Sequence, residues 1–306
     1  MRIAMKVDVD TLKGTFEGVP ALLRLFDRHN VRATFLFSLG PDHTGRAICR
    51  VFRPGFLAKV RRTSVASHYG WRTLMYGTLL PGPHIGRRAG HVMRATFDAG
   101  HEVGIHCYDH VRWQDQVAKK DALWTRREME KAANTFQQVL GRAATVVGAA
   151  GWQINRHALA LEEQMGFHYA SDVRGESPFY PIMDEMRFGC IQLPTTLPTL
   201  DELLGFEDVR RGDLDGRIFE ASRRTRPQGH VYTLHAELEG MQLLDVMDRL
   251  LGMLRTAGDD IGTLGDSFRA LESNDVDYCP VLWDTVPGRS GLLAVQGAPQ
   301  GRDAAN

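Results

Sequence analysis

The chain has 306 residues, 43% hydrophobic and 24% charged, and its 37 Lys and Arg are balanced by 37 Asp and Glu. That composition excludes a disordered or fibrous chain, and a formal net charge of zero gives no whole-chain signature of nucleic-acid binding. The length admits two domains or a single α/β barrel, which typically runs to about 250 residues.

Residues 2–8 read as a first strand, and "MKVDVDT" from Met5 to Thr11 ends it in acid. Side chains two apart on a strand share a face, so Asp8 and Asp10 should lie side by side and repel each other unless a cation sits between them. Residues 20–29 form a helix with Pro20 in its first turn and Leu22, Leu23, Leu25 and Phe26 packing inward. "RATFLFSL", 32–39, is a second buried strand. A helix over 85–99 stops near Gly100, and "HEVGIH", 101–106, is the next strand. A helix over 125–140 ends at Gly141, 144–149 is strand-like, and a helix over 155–165 is capped by Asn155 and stopped by Gly166. Short strands follow at 169–171, 190–193 and 230–235, with helices at 214–225 and 242–257 and a last strand at 260–264. From Pro287 onward the Gly-, Ala- and Gln-rich chain predicts a loose tail, 287–306, outside a single folded domain of residues 1–286.

Strands alternate with helices throughout, which predicts a parallel sheet and a single distorted (β/α) barrel. One stretch breaks the alternation. Between His43 and Phe97 there are ten Lys or Arg and no Asp or Glu, interleaved with Phe52, Phe56, Tyr69, Trp71 and Tyr76. This basic-aromatic insertion, about 44–84, falls between the second and third strands. The four cysteines, Cys49, Cys107, Cys190 and Cys279, form no CxxC pair and fit free thiols in a reducing compartment. Lys6, Asp8 and Asp10 interrupt any signal-peptide core, and no stretch approaches the roughly 20 apolar residues that span a bilayer. A cytoplasmic chain without a transmembrane helix is expected.

"HCYDH" holds His106 and His110 four residues apart, and on one helical turn both imidazoles would face a single metal. With Asp10 they make a two-histidine, one-carboxylate triad that leaves coordination positions open. That cation would answer the Asp8–Asp10 repulsion and leave Asp8 free to take a proton from water. The plainer alternative is two solvated histidines and an acidic loop cap. His235, at the end of "YTLH", is either a buried structural histidine or a general acid. Asp172 either orients His235 or binds a substrate hydroxyl, and Arg174 pairs with Asp8 or holds a phosphate; surface ion pairs are the alternative for both. Glu237, just past His235, either contacts substrate or caps a loop.

The order of these pieces resembles the NodB-homology polysaccharide deacetylases, carbohydrate esterase family four. "DVD" stands where that family has its first motif, "HCYDH" matches the second, and "AAGW" keeps the aromatic of the third, Trp152, without its arginine. Asp172 carries the fourth motif and Leu234–His235 the fifth. The resemblance implies a distorted (β/α) barrel, Asp10, His106 and His110 as ligands of one divalent ion (Zn, Mn or Co), Asp8 as general base and His235 as general acid. "VDVDT", "SLGPD", "YGW", "HEVGIH", "SDVRG", "LPTTLPT" and "YTLHAE" are similar to a deformylase subfamily. Its members remove formyl from a 4-formamido-arabinose carried on undecaprenyl phosphate, a step in lipid A modification and polymyxin resistance. This implies a lipid-linked sugar substrate, peripheral attachment at the cytoplasmic face of the inner membrane, and no nucleic-acid partner. Residues 46–71 are then expected to form amphipathic helix on the membrane. The alternatives are a soluble polysaccharide or peptidoglycan N-deacetylase and a phosphate- or membrane-binding module with a vestigial site.

Overall fold

The first strand, β1 (Arg2–Val9), organises the fold. Its odd residues Ile3, Met5, Val7 and Val9 are fully buried in a large apolar cluster with Phe35, Phe37, Leu22, Leu25 and Phe26. Its even residue Ala4 belongs to a second cluster with Leu36, Val146, Ile191, Leu193 and Val231. Alternation along the strand therefore separates two cores. The first lies between sheet and helices, and the second fills the inside of the curled sheet. A strand buried on both faces is what a parallel sheet covered by helices requires.

The computed structural model describes residues 1–47, 73–206, 208–271 and 276–300. After β1 come α1 (Val19–Arg28), β2 (Thr34–Ser38), α2 (Ile85–Asp98), β3 (Glu102–Cys107), α3 (His110–Gln116), α4 (Ala122–Leu140), β4 (Val146–Val147), α5 (Arg156–Gln164) and β5 (Tyr169–Ala170). Then follow β6 (Phe179–Met183), β7 (Met186–Arg187), β8 (Ile191–Gln192), α6 (Leu200–Leu203), α7 (Leu214–Ser222), β9 (His230–His235), α8 (Leu244–Thr256), β10 (Asp260–Gly262), α9 (Leu264–Arg269), β11 (Asp277–Thr285) and β12 (Leu292–Gln296). Parallel pairing runs β9-β1-β2-β3-β4-β5-β8, with β10 against the start of β1. The curl turns back on itself where Thr196 N and Leu197 N, just past β8, donate to Val231 O of β9 at 3.1 and 3.2 Å. This is the distorted (β/α) barrel that the sequence predicts, with the insertion between β2 and β3.

Asn155 caps α5 by accepting from Ala158 N, and Gly141 ends α4 at φ 71°, as their residue types dictate. Two expectations give way. The chain past Pro287 is not a loose tail as far as Gln300: β12 pairs antiparallel with β11, and Gly297 and Gln300 donate to Pro280 and Tyr278. Pro280 within "DYCPVLWDT" masks β11 in the sequence, because proline demotes a strand pattern, and without β11 its partner has no visible reason to order. His106 and His110 do not share a helical turn. His106 lies on β3, and His110 opens α3 behind its N-cap Asp109. The amphipathic helix expected over 46–71 lies, but for its first two residues, outside the described residues.

Candidate active site

The even residues of β1 run from apolar to ionic along the inside of the barrel: Ala4, Lys6, Asp8, then Asp10 just past the strand. Lys6 is fully buried. Its Nζ donates to Ser171 O at 2.8 Å and stands 3.6 Å from Asp8 Oδ2. A buried ammonium is tolerated only when paired and hydrogen-bonded, and Lys6 has both kinds of partner. Gly148 makes the room, since a Cβ there would come 2.5 Å from Leu36 Cδ1 and 3.3 Å from Lys6 Cε. A cation therefore does sit beside Asp8, and it belongs to the same strand.

On β3, His106 faces the same interior. Its Nδ1 lies 2.8 Å from Gly148 O, which can only accept, so Nδ1 carries a proton and Nε2 is the ring nitrogen left facing Asp10. His106 Nε2 is 3.3 Å from Asp10 Oδ1, and His110 Nε2 is 3.4 Å from Asp10 Oδ2. Asp8 Oδ1 and Asp10 Oδ1 are both buried without a hydrogen-bond partner. Two buried carboxylate oxygens without hydrogen-bond partners call for a cation near them. One ligand atom each from Asp10, His106 and His110 lies within 4.8 Å of the others, so the donor set fits a divalent metal. Burial pushes the Asp10 carboxyl up, but His110 and His106 outweigh it and hold the group well below the usual carboxylate range.

Glu237 supports this corner from beneath. Its Oε1 accepts from Asp10 N at 3.0 Å, Thr11 N at 2.8 Å and Thr11 Oγ1 at 2.8 Å. Burial and the Asp10 charge push its carboxyl up to about 8. Of its two sequence roles, this geometry is that of the loop cap.

The opposite wall is built around His235, the register neighbour of Asp8 across the β1–β9 pair. Burial lowers the His235 pKa, but the charges of Asp201, Asp10 and Glu239 outweigh it and raise the group overall. The Trp152 ring meets His235 edge-on, with centroids 6.4 Å apart and planes at 75°. Gly151 at φ 63° and Trp152 at φ 51° make the turn that presents the indole. Trp152 is only 2% exposed, so it forms a wall and offers no open face for stacking. Two guanidiniums lie over its ring: Arg289 Cζ at 4.5 Å and Arg174 Cζ at 5.5 Å.

Arg174 therefore does not reach Asp8; its Nη2 stands 3.3 Å from Glu202 Oε2. Nor does Asp172 bond His235. Its Oδ1 accepts from Ala149 N at 2.6 Å and its Oδ2 from Gln192 Nε2 at 2.7 Å. Asp172 thus fixes the turn whose Gly148 carbonyl orients His106. Lys6, Asp201, Glu202 and Arg289 were not singled out in the sequence. Lys6 carried a signal, being the next inward residue before Asp8, and Thr199–Glu202 has capping-box spacing. Arg289 carried none.

The chain matches the polysaccharide deacetylase family over residues 9–170. It is 35% identical over 298 residues to a Shewanella sediminis (strain HAW-EB3) protein named "Probable 4-deoxy-4-formamido-L-arabinose-phosphoundecaprenol deformylase ArnD", covering 96% of this chain and 94% of that one. A Wigglesworthia glossinidia brevipalpis protein of the same name is 30% identical over 284 residues, covering 92% and 98%. Among solved structures, one from Mycobacterium smegmatis assigned as a polysaccharide deacetylase superposes with a TM-score of 0.64 at 16% identity, covering 93% of this chain and 94% of that one.

Proposed function

The chain belongs to the polysaccharide deacetylase family of amide-cleaving hydrolases, and on that footing we propose that it deformylates 4-deoxy-4-formamido-L-arabinose carried on undecaprenyl phosphate. The products are formate and the 4-amino sugar lipid, whose free amine serves lipid A modification and polymyxin resistance. Two relatives of that name, aligned over almost the whole chain, support the substrate. The convergence of Asp10, His106 and His110 beside Asp8, with His235 opposite, carries the chemistry.

Asp10, His106 and His110 would hold one divalent ion of the Zn, Mn or Co class, which when bound supplies carbonyl polarisation and a more acidic water. Asp8, held by Lys6, takes a proton from the attacking water. His235, in its protonated form, delivers a proton to the departing amine nitrogen. Water thus adds across the C–N bond, with its hydroxyl going to the formyl carbon and one proton to nitrogen. The deciding measurement is formate release from the lipid-linked formamido sugar compared with acetate release from its acetamido counterpart. A preference for acetyl, or no formate at all, overturns the substrate assignment.

Both ends of the basic-aromatic insertion dock on the ligand loop. His43 Nδ1 is 2.6 Å from Asp109 Oδ2, and Tyr108 OH is 3.4 Å from His84 Nε2. The insertion therefore leaves and rejoins the barrel beside His106 and His110. Its seven bases, worth about 1 kcal/mol each near an anionic leaflet, favour peripheral contact with the membrane that carries the substrate. Among the described residues no helix is long and apolar enough to cross a membrane. Flotation with anionic liposomes at low salt should carry the protein upward; a chain that stays in the soluble fraction refutes the contact.

A further inference from the structure

The β11–β12 hairpin brings a residue to the site from 54 positions beyond His235. The turn before β12 is seated on α6: Gly288 has φ 81°, and a Cβ on it would come 2.4 Å from Glu202 O. This close approach delivers Arg289. Its Nη1 and Nη2 fork onto Asp201 at 2.7 and 2.9 Å, its Nε donates to Glu202 Oε1 at 3.0 Å, and Nη2 also reaches Thr199 Oγ1 at 3.2 Å. The guanidinium lies over the Trp152 ring, which packs at 75° against His235. The hairpin is stitched to the same region at two further points. Gln153 Nε2 donates to Leu292 O at 2.7 Å, and Arg174 exchanges backbone bonds with Ala294 and Gln296 at 2.9 and 2.8 Å.

We propose that Arg289 is a positioning residue for His235, clamping Asp201 and the Trp152 wall so that the imidazole is held where the leaving nitrogen departs. The inference rests on the hydrolase reading above. Arg289 has the partners of a fork that lysine cannot replace: a bidentate carboxylate and an aromatic ring beneath the guanidinium, with the side chain only 15% exposed. Its effect should appear in one step only. Proton delivery to an amine is needed when an amide breaks, but not when an activated ester expels a phenolate that leaves unaided.

The test compares metal-loaded wild type, Arg289→Ala and Arg289→Lys on the formamido sugar and on 4-nitrophenyl formate. The sugar kcat should fall by at least about tenfold in both variants, within the range that proton delivery supplies, with KM altered less than kcat. The loss on the ester should be at least about ten times smaller than the loss on the amide. Guanidinium ion added to Arg289→Ala should restore part of the amide rate. Equal losses on both substrates, or no loss on either, overturn the proposal. Should Arg289→Ala fail to fold, the ratio measured for Arg289→Lys decides. If wild type hydrolyses the acetamido sugar and not the formamido one, the substrate assignment fails, and the same ratio on the acetyl pair still decides the role of Arg289.

Discussion

His106 and His235 both stand at inward positions near the ends of parallel strands, yet the walls around them are assembled differently. Around His106 every support is close in the sheet: Lys6 and Asp8 on β1, Gly148 just past β4, and Asp10 capped by Glu237. Strand alternation alone brings them to one face. Around His235 one support is local, Glu239 Oε2 accepting from His235 N at 2.8 Å, and the others come from a turn with two left-handed residues, from a four-residue helix and from the last hairpin. The first wall gathers two carboxylates, Asp8 beside Lys6 and Asp10 facing His106 and His110, and the second a lattice of two arginines and two carboxylates. On the proposed reading the first wall would take an ion between its side chains, while the second is held by ion pairs within the protein.

Removing a proposed metal ligand should give the largest effect and break that contrast most directly. His106→Ala should weaken divalent-ion affinity, read by competition with a chromogenic chelator, by more than about 100-fold, since even supporting residues of metal sites are worth 10–100-fold. Its hydrolysis of amide and ester should fall together. His235→Ala should leave metal affinity within a few-fold of wild type. A His235→Ala protein that loses metal as severely as His106→Ala would show that the two walls are one unit.

Lys6→Met sharpens the comparison from the inside of the first wall. It leaves the buried carboxylate of Asp8 without its partner, and breaking a buried pair on one side typically costs about 3–5 kcal/mol. Lys6→Arg keeps the charge and should lose less, limited by the space Gly148 leaves. Urea denaturation of the metal-free proteins measures both. A loss below about 1 kcal/mol for Lys6→Met would mean that the ammonium and carboxylate do not depend on each other.

The contrast also explains what could be read beforehand. The barrel, the strand ends and the five residues Asp8, Asp10, His106, His110 and His235 follow from period-two patterning, from helix caps such as Asn155 and Gly141, and from motif resemblance. Register does the rest: once β1 pairs β9 in parallel, Asp8 and His235 must be neighbours. What stayed hidden depends on long-range partners. Asp172 looked like a partner for His235 because it follows a strand, but Gln192 and Ala149 N claim both its oxygens. Arg174 seemed the replacement for a missing arginine beside Asp8, while Lys6, two residues away, already filled that place. Arg289 lies in a segment whose glycines suggest looseness. One of them, Gly288, is there because only glycine lets that backbone touch Glu202 at φ 81°.

The smallest effect concerns the foundation of the metal wall. His101 lies at the foot of β3, 4% exposed, with its ring 5.2 Å from Phe35 and 5.9 Å from Phe26 and its Nδ1 accepting from Ala33 N at 3.2 Å. Burial, then the charge of Arg32, lowers its pKa to about 4 from an ordinary 6.5. A histidine depressed in the folded state contributes stability that is fully present above pH 6.5 and is lost as pH falls toward 4, because the unfolded chain takes up the proton first. His101→Phe keeps an aromatic ring but cannot be protonated, and it forfeits the Ala33 hydrogen bond at every pH. It should therefore be less stable than wild type at pH 7.5, and that gap should narrow or reverse at pH 5. Denaturant midpoints at the two pH values measure the gap. A gap of the same size at both would place the acid sensitivity of β2 and β3 in some other group, and the metal wall would then owe none of its pH dependence to its foundation.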